Sequence, residues 1–284
     1  MLNLYEASTK KSTDKNLNIK EKTSVIYHNI FDYPLNFSDL IKWSSDKSLD
    51  NYSMEKINIA HKNGFYFLEG REGLIYKRLL RKRISAKKIK IAKKAVRFLS
   101  FITGIKMMAL TGSLAMENSS EESDIDLMIV TKNGFLWTTR ALTYLMIGLF
   151  GIRIRRPNDS NQKDKLCLNI WLDGNDLIWP KKDRNLYTAH EIAQTVPLVN
   201  KNNTYEKFIY QNRWILDFWP NAVRINKKYD TKNKELHFSV VEKLAYWFQQ
   251  NHMKSKVTRE VVTPTRAVFH PQDWGKIVTR RLSP

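Results

Sequence analysis

Two carboxylates one residue apart, Asp124 and Asp126, stand at the start of an apolar run, and the pair Gly112-Ser113 precedes them by ten intervening residues. Alternate side chains of an extended strand share a face, so Asp124, Asp126 and Met128 project one way and Ile125, Leu127 and Ile129 the other. Two carboxylates on one open face lie roughly 6 to 7 Å apart along the strand and repel each other. A divalent cation resolves that conflict. Mg2+ suits such a site, because it takes one or two carboxylates plus phosphate oxygens of a substrate. A two-metal clamp can activate an attacking hydroxyl while it stabilises a leaving pyrophosphate. Upstream, Ile105 to Leu110 reads as a strand that runs into Thr111-Gly112-Ser113. Glycine there lets the backbone approach a ligand closely, and Ser113 opens a short helix whose N-terminus offers unpaired N–H groups to phosphate. The plainer alternative is an ordinary turn followed by an edge strand with solvated aspartates.

Strand, Gly112-Ser113, a short helix, then Asp124-Ile125-Asp126 on the next strand: this order resembles the signature of the DNA polymerase β-like nucleotidyltransferase superfamily. The resemblance covers about residues 86 to 172. It implies Mg2+ as cofactor, ligated by Asp124 and Asp126, and an NTP, with ATP the expected one, whose phosphates are held by Gly112 and Ser113. The implied reaction moves a nucleoside monophosphate to an acceptor hydroxyl or phosphate and releases pyrophosphate. Family members bring a third carboxylate from a later strand, and here the sequence departs from the pattern. In the strand-like run from Leu166 to Asp173, Cys167, Asn169, Trp171 and Asp173 share a face, and the mid-strand position holds Asn169. Its amide oxygen, expected to point into the cleft, can ligate a metal but cannot act as a base. Asp173 shares the face yet lies too far along the strand. A non-catalytic nucleic-acid- or nucleotide-binding regulator with a degenerate transferase core therefore stands beside the enzyme, as does a toxin-like enzyme that modifies a protein hydroxyl.

The flanks must position this core. Residues 1–84 read as a polar tail and a winged-helix-like unit: helices over Ile19 to Phe31, from Asn36 or Ser38 to Trp43, and from Met54 to Lys62, then a hairpin of FYFLE and GLIYK. A helical packing module that touches no nucleic acid is the equal alternative. Residues 85–180 are the nucleotidyltransferase domain that the resemblance implies. Its first helix runs from Ser85, a candidate cap, to Ile102, with Ile89, Ala92, Val96 and Leu99 on one face and Lys90, Lys93, Lys94 and Arg97 on the other. Residues 181–284 read as an all-α unit punctuated by prolines. The expected class is thus α/β (α+β) with a mixed sheet. Arg140, Arg153 and Arg155 are candidates to meet a triphosphate or plain surface charges. His190-Glu191 lacks the second histidine of a zincin motif and reads as helix surface. Trp214, Trp219 and Trp247 read as core, and Phe269-His270-Pro271 as a turn.

The whole chain sets the limits. It has 284 residues, 42% of them hydrophobic, and a net charge of +20, which favours anionic partners. Between Lys77 and Arg97 stand eleven basic residues and no acid, a stripe suited to tracking the phosphates of a nucleic acid or else a solvated helix back. One cysteine, Cys167, excludes a disulfide framework or a thiolate zinc cluster. With no apolar leader at the N-terminus, a cytoplasmic location is expected. The most apolar segment, residues 141–152, is too short to span a bilayer and reads as a buried helix.

Overall fold

Asn18 and Asn36 begin helices for the same reason. Each side chain accepts the backbone N–H three residues on, and the acid found there, Glu21 or Asp39, accepts the N–H of the asparagine in return. This reciprocal capping box satisfies N–H groups that a helix start leaves unpaired. The computed structural model describes residues 12–13, 17–45, 57–156, 159–229, 238–253, 261–269 and 274–282. It places the short strand β1 (Ser12–Thr13), then α1 (Ile19–Asn29), β2 (Leu35–Asn36) and α2 (Phe37–Lys42). Strands β3 (Ile59–Lys62) and β4 (Phe65–Leu68) pair as a hairpin across Asn63-Gly64, both at positive φ, the conformation a tight two-residue turn demands.

The expected third helix is therefore not formed over 59–62, where an Asn-Gly turn dictates a strand; Met54 to Lys56 lie outside the described residues. GLIYK, expected as the second hairpin strand, instead opens α3 (Gly73–Leu99). From Leu74 to Leu99 there is neither proline nor glycine to stop a helix, so α3 reaches back twelve residues beyond the expected Ser85 start. Ser85 is consequently no cap: it lies buried mid-helix and its hydroxyl accepts the Ser119 N–H at 3.1 Å.

The second sheet begins with β5 (Ile105–Leu110) and α4 (Gly112–Ala115) and continues with β6 (Ile125–Thr131), α5 (Leu136–Leu149) and β7 (Leu166–Asp173). After these come α6 (Leu186–Ala193), β8 (Val196–Asn200), α7 (Thr204–Gln211), α8 (Val240–Met253), β9 (Val261–Thr263), β10 (Arg266–Val268) and α9 (Trp274–Leu282). The strand order is β8-β5-β6-β7-β10-β9. Strands β6 and β7 run parallel and their neighbours antiparallel, so the fold is mixed α/β, as expected. The all-α reading of 181–284 needs correction, because β8, β9 and β10 extend this sheet on both sides. Pro197, expected only as punctuation, sits in β8 at the sheet's edge, where a missing N–H is tolerated.

Ile125, Leu127 and Ile129 are fully buried and belong to one core with Ala92, Val96 and Leu99 of α3 and Trp137 of α5. Helix α5 is buried only on the side of Leu136, Trp137, Thr139, Thr143 and Ile147. Its other side exposes Leu142, Leu145 and Leu149, which corrects the expectation of a wholly buried helix. Among the described residues no helix is long and apolar enough to cross a membrane. The chain divides into two units, one of Met1–Leu80, Leu216–Val223 and Lys276–Pro284, the other of Arg81–Ile215 and Arg224–Gly275.

Candidate active site

Asp124 ends the loop before β6, and Asp126 lies within the strand on the same face. Asp124 Oδ2 accepts a hydrogen bond and ion pair from Arg155 at 2.8 Å. Asp126 Oδ1 accepts from Asn169 Nδ2, also at 2.8 Å. Cys167 stands opposite Asp126 on the parallel strand β7, and donor atoms of Asp124, Asp126 and Cys167 all lie within 4.8 Å of one another. Burial, with the Asp124 charge second, pushes the Asp126 carboxyl up to about 7. Burial and the two aspartates likewise push the Cys167 thiol up, so it is no ready nucleophile.

The turn meets this pair from the neighbouring strand. Gly112 has φ +58°, and a Cβ there would lie 2.7 Å from Asp126 Oδ2. Glycine is required twice over, for its left-handed backbone and for the close approach. Ser113 lies within hydrogen-bonding distance of the Ser119 hydroxyl, at 3.3 Å. Helix α4 spans only four residues, so its dipole is small.

Asn169 is on the expected face, but its amide nitrogen rather than its oxygen meets Asp126, because a carboxylate can only accept. The oxygen, Oδ1, is buried without a hydrogen-bond partner in a side chain whose residue is 7% exposed. Such an atom is expensive unless something electropositive meets it, which suits a cation site with carboxylate and amide donors. Asp173 is elsewhere. It pairs with Thr131 at the far end of β6, and its carboxylate accepts the N–H groups of Gly134 and Asn175.

Helix α6 brings residues to the site that the sequence alone did not suggest. Glu191 accepts the Gln194 Nε2 hydrogen at 2.7 Å, and Gln194 Nε2 also reaches the Gly112 carbonyl at 3.2 Å. Burial, with the Asp126 charge second, raises the Glu191 carboxyl to about 8. Tyr187, one turn earlier, is raised by burial and by both acids. Spacing of four and three residues along Tyr187, Glu191 and Gln194 puts them on one helix face, and that was the available signal. Glu191 is half-buried and His190 is 4% exposed, so His190-Glu191 is not a helix surface. Arg155 alone of the three arginines meets the aspartates. Arg140 is engaged with Gln249 and the Tyr144 ring, and Arg153 is exposed. Trp219 is fully buried and Trp214 nearly so, but Trp247 is 55% exposed, against its core assignment. His270 and Pro271 lie outside the described residues.

Residues 89–148 match the family of the nucleotidyltransferase domain. This match is consistent with the DNA polymerase β-like superfamily that the motif resembles. The matched stretch contains Gly112, Ser113, Asp124 and Asp126 and ends before Asn169 and Glu191. No curated protein and no solved structure gave a match.

Proposed function

We propose that the protein is a Mg2+-dependent nucleotidyltransferase that moves a nucleoside monophosphate from an NTP to an acceptor, with pyrophosphate leaving. The observation that carries this reading is the packing of the Gly112 backbone directly against the Asp126 carboxylate, with Asp124 beside it. A nucleotide's phosphates and the two carboxylates would then share one divalent ion. When bound, Mg2+ supplies charge neutralisation and Lewis acidity at phosphate oxygens. The residues of the chain contribute orientation. Arg155 fixes the Asp124 carboxylate, Asn169 fixes that of Asp126, and the bare Gly112 Cα lets the Asp126 carboxylate pack against the turn. Catalysis in this scheme is positioning plus electrostatics.

Winged-helix character of the first unit and a polynucleotide partner for the basic face of α3 belong to the same proposal. The test is Asp124→Asn and Asp126→Asn, singly and together. Each should abolish Mg2+-dependent NTP binding and transfer, read by calorimetry and by label from NTP, with the circular dichroism spectrum unchanged. A double variant that binds and transfers like wild type would place the chemistry elsewhere. Tight binding with no transfer to any component of a cell extract would instead favour the regulator with a degenerate core.

A further inference from the structure

We propose that Cys167 is the third ligand of the Asp124–Asp126 site, and that its thiolate gives the site an affinity for a thiophilic divalent ion such as Zn2+. The proposal deepens the nucleotidyltransferase reading, on which it rests, by naming a residue of β7 and the kind of ion it favours. Register places the sulfur. Strands β6 and β7 run parallel with Asp126 opposite Cys167, and one ligand atom each from Asp124, Asp126 and Cys167 lies within 4.8 Å of the others. Around a tetrahedral Zn2+ ion, an oxygen at about 2.0 Å and a sulfur at about 2.3 Å stand about 3.5 Å apart. Closing up on one ion therefore moves each atom by less than about 1 Å, which a side-chain torsion supplies. Three protein ligands with a fourth position open to water or substrate is the arrangement of a Zn2+ centre that takes part in chemistry.

Two further observations point to a cation here. Asn169, next but one to Cys167 along β7, donates through Nδ2 to Asp126 Oδ1 at 2.8 Å, while its own Oδ1 is buried with no hydrogen-bond partner among the described residues. The residue is 7% exposed, so this acceptor stands beside the cluster, shut off from water, and is costly until a positive charge comes near. Arg155, ion-paired to Asp124 at 2.8 Å, balances one carboxylate. A divalent ion balances Asp126 and one more anion, and the Cys167 thiolate is the anion within reach. The thiol proton leaves for the solvent as the metal–sulfur bond forms. Hard Mg2+ takes oxygen ligands and gains little from sulfur, whereas thiolate ligands select Zn2+ and similar ions.

Cys167 is the chain's one cysteine, so a thiolate-to-metal charge-transfer band can come from no other residue. The experiment titrates Cd2+, a thiophilic stand-in for Zn2+, into the full chain without nucleotide and follows ultraviolet absorbance. Mn2+ binding is followed by electron paramagnetic resonance. Wild type is compared with Cys167→Ser, Cys167→Ala and Asp126→Asn, each checked for an unchanged circular dichroism spectrum. In wild type the band should saturate at one Cd2+ per chain. Both Cys167 variants should lose the band and bind Cd2+ about tenfold or more weakly, since even a ligand's supporting partner is worth that much. Their Mn2+ affinity should fall by a smaller factor. Asp126→Asn should weaken both ions. A wild type that binds Mn2+ but gives no Cd2+ band would overturn the role of Cys167 and leave the site reading intact. So would a band of unchanged Cd2+ affinity in Asp126→Asn alongside weakened Mn2+. If Asp126→Asn binds both ions as wild type does, or wild type binds neither, the aspartate site itself falls and the proposal with it.

Discussion

At the scale of single residues, the site gathers acidic groups that conflict with one another, a conflict that the cation of the proposed function would relieve. Asp126 shows this best. Its carboxyl is raised from an ordinary value of 3.8 to about 7 by burial and by Asp124, although Asn169 donates to it. A carboxyl whose folded pKa lies above its unfolded pKa stabilises the fold fully below the unfolded value, and that contribution is lost as pH rises through the folded value. In chelator, therefore, the wild type should lose stability relative to Asp126→Asn between about pH 4 and pH 7. The difference in melting temperature, variant minus wild type, should grow across that window and shrink again when Mg2+ is added at pH 7. A difference that falls with rising pH would mean that Asp126 is stabilised, not strained, in its ionised form. The aspartate pair and the turn were legible in the sequence because spacing along one strand and one glycine carry them. The approach of α6 to the turn was not, because Gln194, which joins Glu191 to the Gly112 carbonyl, lies some eighty residues beyond Gly112 and only tertiary packing brings them together.

At the scale of elements, one buried lysine explains how the loop before β6 is aimed. Lys88 belongs to the basic run of α3, yet its side chain is 2% exposed. Its ammonium donates to the Glu121 carbonyl at 3.0 Å, the Ser123 carbonyl at 2.8 Å and Asp164 Oδ1 at 2.8 Å. Ser123 directly precedes Asp124, so α3 grips the loop next to the first carboxylate. Methionine at 88 keeps the stem's packing and deletes all three donors. The bonds involve a charged donor, so we expect Lys88→Met to cost about 2 to 3 kcal/mol, measured by urea unfolding. It should also weaken Mg2+-dependent nucleotide binding through a misplaced Asp124. A loss below about 0.5 kcal/mol, the ordinary level for a surface change, would show that the loop holds itself. Helical periodicity identified the inner face of this element well, since Ala92, Val96 and Leu99 are buried as their spacing required. It placed the start of α3 wrongly, because the apolar residues of GLIYK fit a strand and a helix equally, and only the hairpin formed upstream decides between them.

At the scale of the whole molecule, the +20 net charge is not spread evenly among free cations. Of the eleven basic residues between Lys77 and Arg97, five are engaged internally. Lys77 pairs with Asp32, Arg78 with Asp39 and Lys82 with Glu117, Arg81 donates to Asn118, and Lys88 is buried against Asp164. Arg83, Lys87, Lys90, Lys93, Lys94 and Arg97 are exposed. Five of these six recur at alternating steps of four and three residues, which keeps them on one line along the helix, about 21 Å long at 1.5 Å per residue. A row of cations of that length would suit a polyanion better than a single phosphate. If all six engage a polynucleotide, the log–log dependence of affinity on salt should have a slope of about −4 to −5. Changing Lys90, Lys93, Lys94 and Arg97 to Gln should remove about 3 from its magnitude, measured by fluorescence anisotropy with a labelled oligonucleotide. It should leave Mn2+ binding at the aspartates unaltered. The same slope in the variant, or no binding at low salt in the wild type, would reduce the row to a solvated helix face and direct the search for the acceptor to small molecules and proteins.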